Sequence, residues 1–227
     1  MNNWIWGPHN IFGKIWRFVV PNFTVKTQID GIIAYISLRD NPIYLLPKNG
    51  LIKEVRDILS EPCNTFWDIG CNVGLFSLMA LKKGKRVIAL DVSTAAIRLL
   101  TRTAKENFPK GDLLAISRPL ATQKYKCEHN YNTMFITTPT QSETGTNRSL
   151  VWYELADRYG IPDLIKMDIE GGEVDFFNDQ EFKRFVVRNK IIWAVEIHTA
   201  EAWSASWIDV PYRVLDSRHI VYNSRKV

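Results

Sequence analysis

Cysteine is scarce in this chain, with three in 227 residues. Cys63, Cys71 and Cys127 are widely spaced and form no C-x-x-C pair, which argues against a disulfide framework or a cysteine-ligated zinc site. They are expected as reduced thiols. Long apolar runs are missing as well: nothing approaches the roughly 18 uninterrupted apolar residues of a membrane-spanning helix. The opening stretch MNNWIWGPHNIFGK has neither the basic leader nor the apolar core of a secretory signal, so a cytoplasmic location is expected. Two phosphate-binding glycine signatures, G-x-G-x-x-G and G-x-x-x-x-G-K-[ST], are also absent. Their absence removes the dinucleotide and P-loop readings.

What is present is the composition of a globular protein, 46% apolar and 23% charged. A chain of this length favours one domain with a sizeable core. The net charge of +5 and a pI near 9.1 suit encounter with a nucleic acid, an anionic membrane or an acidic glycan, without choosing among them. The basic residues are scattered, as on an ordinary solvated surface. Residues 1–24 stand apart because Trp4, Trp6, Phe12, Trp16 and Phe18 are grouped there with Lys14 and Arg17. Packing over the domain is the expected role of this segment, and peripheral membrane contact through residues 4–18 is the alternative. Residues 25–227 are expected to form a single domain.

From about Val25 to Leu46, apolar and polar residues alternate between turn signals at Gly31 and at Asp40-Asn41-Pro42, the pattern of a leading hairpin. Helical spacing follows from Gly50 to Ser60. The pattern that decides the fold class comes next: a strand Thr65–Ile69, a glycine-bearing turn, a helix Leu75–Lys83 and a strand Arg86–Asp91. Strand, helix and strand over so short a span form a right-handed parallel βαβ unit. The alternation continues with a helix at 95–107 and strands near 113–116, 164–168 and 191–197, with a helix after Gly172. An α/β fold is therefore expected, a doubly wound and mostly parallel sheet with an N-terminal strand and helix extension. A weak hairpin pattern closes the chain at 211–227. The polar stretch between Pro119 and Asn147 reads as a long loop, and no role is assigned to His129 or Asn130-Tyr131-Asn132 within it.

In a doubly wound sheet the ligand lies at the carboxyl ends of the strands where the winding reverses, so the first strand-to-helix turn is informative. Here that turn reads Asp68-Ile69-Gly70-Cys71-Asn72-Val73-Gly74. Gly70 and Gly74 permit a tight turn and close approach of a ligand, and the helix start near Val73 presents unpaired N–H groups. Asp68 is expected to accept a hydrogen bond from a cationic amine. The D-x-G-x-N-x-G pattern resembles the first motif of class I S-adenosylmethionine (SAM) methyltransferases. Under that resemblance Asp68, Gly70, Asn72, Gly74 and Asp168 bind SAM, and Asp91, ending the second strand, holds both ribose hydroxyls.

A more specific likeness lies in Pro162-Asp163-Leu164-Ile165-Lys166-Met167-Asp168-Ile169-Glu170-Gly171-Gly172-Glu173. It resembles the hallmark of the FkbM family of SAM-dependent methyltransferases, an I-K-x-D strand followed by x-E-G-x-E. Val195-Glu196-Ile197-His198 resembles that family's E-x-H strand end, and Ser149–Leu155 its short strand before the hallmark. The likeness covers roughly Val25 to His198. Cys71 stands where the family more often has alanine, and Asp91 where it commonly has glutamate. Both are small departures. The resemblance implies an O-methyltransferase acting on a hydroxyl of a sugar, glycan or other secondary metabolite, with SAM as cofactor.

Methyl transfer to an alcohol needs the hydroxyl in line with the donor and a base to take its proton. Asp168, Glu170, Glu196 and His198 are the candidates, His198 first because a neutral imidazole is matched to that task near neutral pH. A divalent cation held by the same groups is the alternative and is not favoured. Lys166 is expected to pair with Glu196 on a neighbouring strand, and Glu170 and Glu173 to complement a helix N-terminus. An RNA ribose 2′-O-methyltransferase would draw a Lys-Asp-Lys-Glu tetrad from separate elements. Lys166 and Asp168 share one strand and only Lys183 and Lys190 lie between Asp168 and Glu196, which disfavours RNA. A non-catalytic SAM-binding module is the remaining rival.

Overall fold

In the computed structural model, residues 15, 18–41, 45, 49–128, 140–141 and 147–226 are described. Most of the aromatic stretch 4–18, His129 and Asn130-Tyr131-Asn132 lie outside them. The chain starts with the expected hairpin, β1 (Thr24–Ile29) and β2 (Ile32–Ser37), paired antiparallel with Ile29 opposite Ile32. Its two-residue loop, Asp30-Gly31, takes positive φ at both positions, as this turn type requires. Helix α1 (Asn49–Ile58) then leads to β3 (Thr65–Ile69), α2 (Leu75–Lys82), β4 (Arg86–Asp91), α3 (Thr94–Asn107) and β5 (Leu113–Ser117).

Short pairings follow: β6 (Leu120–Ala121), β7 (Lys126–Glu128), β8 (Thr140–Gln141), β9 (Asn147–Arg148) and β10 (Leu150–Val151). The second half comprises α4 (Trp152–Tyr159), β11 (Leu164–Met167), α5 (Glu173–Asn178), α6 (Gln180–Arg188), β12 (Ile192–Glu196), α7 (Ala200–Ala205), β13 (Tyr212–Val214) and β14 (His219–Asn223).

Seven strands form the central sheet in the order β13-β14-β12-β11-β3-β4-β5. The five from β12 to β5 are parallel, and β14 inserts antiparallel between β12 and β13. Both faces are dry. Phe66, Val87, Leu164 and Ile192 pack into one core with α1, α2 and α3; Trp67, Ile88, Ile165 and Trp193 pack into a second with α4, α5 and α6. Strands buried on both faces read as continuous apolar runs, which is why β3, β4, β11 and β12 were legible in the sequence. The winding reverses between β3 and β11.

One expected strand is largely a helix. Only Leu150 and Val151 of the 149–155 segment are extended, and α4 begins at Trp152. Trp152 and Leu155, three residues apart, are buried on one face, while Tyr153 and Glu154 between them are less buried. That is helical rather than strand periodicity.

The turn leaving β3 is set by backbone proximity. Gly70 has φ +73°, and a Cβ there would lie 1.7 Å from the main-chain oxygen of Asp168. Gly74, at φ +80°, faces the tip of Leu100 instead, 2.3 Å from an added Cβ. A leucine tip can rotate and a strand carbonyl cannot. Gly70→Ala is therefore expected to destabilise by about 3 kcal/mol or more and Gly74→Ala by clearly less. Urea unfolding of both variants checks this, and equal losses would contradict it.

Candidate active site

Strand register places the first charge. Lys166 on β11 is the lateral neighbour of Asp68 on β3 and of Ala194 on β12. Lys166 is therefore directed to Asp68 and Asp168, not to Glu196 as the sequence suggested. Its Nζ lies 3.2 Å from Asp168 Oδ2, 3.9 Å from Asp68 Oδ1, and donates to the carbonyl of Gly70 at 3.2 Å. With 6% of its surface exposed, the ammonium survives burial because these carboxylates hold its pKa well above the ordinary value against desolvation.

Asp68 is turned into the fold. It is fully buried, and its Oδ2 accepts from both the backbone N–H and the hydroxyl of Ser77 at 2.9 and 2.6 Å. Burial raises its pKa, and the nearby Lys166 charge opposes the rise. The carboxylate expected to meet a cofactor amine thus ties β3 to the first turn of α2. It has no exposed face.

Asp91 remains at the rim of the crevice. Its Oδ2 accepts from Asn72 N at 2.8 Å and its Oδ1 from Ser93 N at 2.7 Å, leaving a lone pair on each oxygen for hydroxyl donors. Burial lifts its pKa to about 6, against the two backbone N–H groups that favour the anion. Asn72 has φ +51° and accepts from Asn41 Nδ2 at 3.1 Å through its side-chain oxygen. The sequence had marked Asn41 only as part of a turn. A polar residue just after an amphipathic hairpin carries no signal of its own.

On the β11 and β12 side, four carboxylates surround His198. Its Nδ1 meets Glu173 Oε1 at 3.1 Å, and Glu173, fully buried, also accepts from Ile169 N and Gly171 N. Its Nε2 lies 3.5 Å from Asp168 Oδ1, 3.7 Å from Glu170 Oε2 and 3.6 Å from Glu196 Oε1. Burial would lower the imidazole pKa, but the Glu173 hydrogen bond and the neighbouring carboxylates raise it to about 9. The expected neutral histidine is therefore mostly imidazolium at pH 7. Asp168, Glu170 and His198 each offer one ligand atom, all within 4.8 Å of one another, a donor set suited to a divalent cation.

Glu196 is shared. It pairs with Arg218 at 2.8 Å and with His219, its cross-strand partner on β14, at 3.3 Å, and these cations lower its pKa to about 2 against its burial. His219 lies 3.0 Å from Glu54 on α1 and 2.9 Å from Asp216. Elsewhere, Lys183 pairs with Asp209, and Lys190 precedes β12 at the end of the sheet remote from the site. Neither joins Lys166 and Asp168 in a tetrad.

No family model and no curated protein matches the chain. Among solved structures it is similar to the Pyrococcus abyssi tRNA (uracil-54, C5)-methyltransferase in complex with S-adenosyl-L-homocysteine: 14% identity, TM-score 0.51, 87% of this chain and 42% of that one. It is similar to the M. jannaschii tRNA m1G37 methyltransferase at the same identity and TM-score, over 90% of this chain and 56% of that one. The chain thus spans about half the length of these structures. The likeness shows the fold, the Rossmann-like α/β fold of class I methyltransferases.

His219 supplies a pH test. Although burial opposes it, contact with Glu196 and Glu54 raises its pKa to about 10. A raised histidine pKa adds stability that is complete below the unfolded value near 6.5 and lost as pH climbs through the folded value. The melting temperature should fall between pH 6.5 and about 10, by roughly 2–4 °C per kcal/mol lost. In His219→Gln the alkaline fall should be shallower, and an unchanged slope would refute the assignment.

Proposed function

We propose that the chain is a SAM-dependent O-methyltransferase that methylates a hydroxyl of a sugar, glycan or secondary metabolite. The observation that carries this reading is the meeting, at the reversal of the sheet, of the glycine turn beside Asp91 with the Asp168–His198 cluster. The fold supports it, as does the S-adenosyl-L-homocysteine named with the Pyrococcus structure. The FkbM-like hallmark between Pro162 and Glu173 supports the finer part, transfer to oxygen. Both neighbours act on tRNA by name, but 14% identity carries a fold and not an acceptor.

In this reading Asp91 accepts from the ribose hydroxyls, and Gly70, Asn72 and Gly74 shape the turn on which SAM rests. Asp68 acts from beneath by fixing that turn. Asp168 and Glu170 orient the acceptor hydroxyl at the strand end, and Glu196 holds negative charge behind the imidazole. His198 takes the hydroxyl proton as the oxygen attacks the methyl in line, and then releases it to solvent. Glu173 fixes the ring so that Nε2 faces the acceptor.

Calorimetry with SAM tests the cofactor. Binding should weaken at least tenfold in Asp91→Ala, and in the native chain it should fall as pH drops through about 6, because only the carboxylate accepts from both hydroxyls. No binding, or affinity indifferent to that substitution, would count against the proposal. Labelled methyl should then pass from SAM to hydroxyl-bearing glycans; label reaching RNA alone would reassign the acceptor.

Turnover tests the base. Rate should climb with pH towards about 9 as neutral His198 accumulates, and His198→Ala should lose both rate and slope. A second reading uses the same donor atoms for a divalent cation that acidifies the hydroxyl. Activity abolished by EDTA and restored by Mn2+ would favour it, whereas activity indifferent to EDTA would leave proton transfer to His198.

A further inference from the structure

The glycine turn has a second neighbour besides Asp91. Residues 37–41 fold into a tight turn after β2: Asn41 N donates to Ser37 O at 2.8 Å, and Asp40 exchanges hydrogen bonds of 3.0 Å with the Ser37 hydroxyl. This turn seats Asn41 against the loop with 2% of its surface exposed. One end of its carboxamide is used, Nδ2 donating to Asn72. The other end, Oδ1, is buried and accepts no hydrogen bond. An acceptor removed from water and left unpaired is costly, and such atoms in folded chains call for a donor.

Asn41, Asn72 and Asp91 form a continuous line, Asn41 Nδ2 to Asn72 Oδ1 at 3.1 Å and Asn72 N to Asp91 Oδ2 at 2.8 Å. A ligand whose ribose is held at Asp91 and which extends along the glycine turn has its far end near Asn41. For SAM that end is an α-amino acid, and its ammonium needs acceptors. Asp68, the acceptor expected from sequence, has its Oδ2 occupied by Ser77; its Oδ1, like that of Asn41, is buried without a hydrogen-bond partner, but it faces the Lys166 ammonium at 3.9 Å, which already supplies its counter-charge.

We propose that Asn41 is a cofactor-binding residue whose side-chain carbonyl accepts a hydrogen bond from the α-ammonium of the bound cofactor. The inference rests on the SAM reading above. It adds a contact from outside the central sheet: the turn after the N-terminal hairpin recognises the amino-acid end of the cofactor while β4 recognises its ribose.

Two thioether ligands isolate the contact. S-adenosylhomocysteine carries the amino acid, and 5′-methylthioadenosine has a methyl group in its place. Calorimetry on the full chain should show Asn41→Ala weakening S-adenosylhomocysteine about tenfold or more, about 1.4 kcal/mol, with 5′-methylthioadenosine unchanged. The retained ligand also reports an intact fold. Asn41→Asp keeps an acceptor and adds charge but gives up the Nδ2 bond to Asn72, whose carboxamide must turn its own Nδ2 to the new carboxylate. With 5′-methylthioadenosine binding retained as the sign of an intact turn, it should bind S-adenosylhomocysteine at least as well as the native chain, and it carries the test should the alanine variant not fold. Equal weakening of both ligands, or no weakening, in Asn41→Ala would overturn the inference. So would loss of S-adenosylhomocysteine alone in Asn41→Asp, which would mean that Asn41 faces the cofactor's carboxylate through its N–H. A native chain that binds neither ligand would instead sink the cofactor reading itself.

Discussion

A single buried ammonium holds the centre of this molecule together. Lys166 reaches from β11 to the carbonyl of Gly70 and to the carboxylates of Asp68 and Asp168, so one charge fixes the glycine turn, the floor beneath it and the acid beside it. A lysine inside a parallel sheet is tolerable only with such compensation, because an uncompensated buried charge shifts its pKa or disrupts the fold. The converse also holds. Without the ammonium, Asp68 and Asp168 would lose the nearest charge that opposes the effect of burial, and their neutral forms would be favoured.

The second constraint is the crowding of negative charge around His198. Glu173 orients the ring from within the protein, while Asp168, Glu170 and Glu196 face its other nitrogen at distances longer than a hydrogen bond. Arg218 and His219 balance Glu196 among these acids. The result is graded: the buried Lys166 and His219 and the exposed Arg218 flank the carboxylates, and the imidazole stands among them at the strand ends. A proton leaving an acceptor hydroxyl would enter a region already arranged to stabilise positive charge, the condition under which electrostatic preorganisation contributes to catalysis.

Much of this is legible in the sequence. The apolar runs of β3, β4, β11 and β12 announced the parallel sheet, and the strand-turn-helix order located the glycine turn. Asp168, Glu170, Glu196 and His198 were named from their positions at strand ends, and the structure brings them together. What sequence could not express was direction. Asp68 reads in the sequence as a ligand-facing acid, whereas in the fold it is fully buried and one of its oxygens accepts from Ser77, nine residues on. Lys166 was assigned to Glu196 because register between strands is not written in either strand alone. The histidine was read as neutral because its surroundings come from three separate segments. Trp152 begins a helix where a strand was expected, since two extended residues are too few for periodicity to resolve. Asn41 carries no signal in the sequence because its partner Asn72 lies 31 positions away.

The antiparallel insertion of β14 has a consequence in time. During synthesis β11 and β12 emerge before residue 219, so the acids at their ends assemble without their cross-strand counter-charge. Until then Glu196 lacks the two cations, Arg218 and His219, that the finished sheet sets against it. Pairing of β14 with β12 brings both cations and continues the sheet towards β13. Completion of the sheet and neutralisation of Glu196 thus depend on the same antiparallel strand, β14. One strand thereby both extends the sheet and carries counter-charge to the acid at the end of β12.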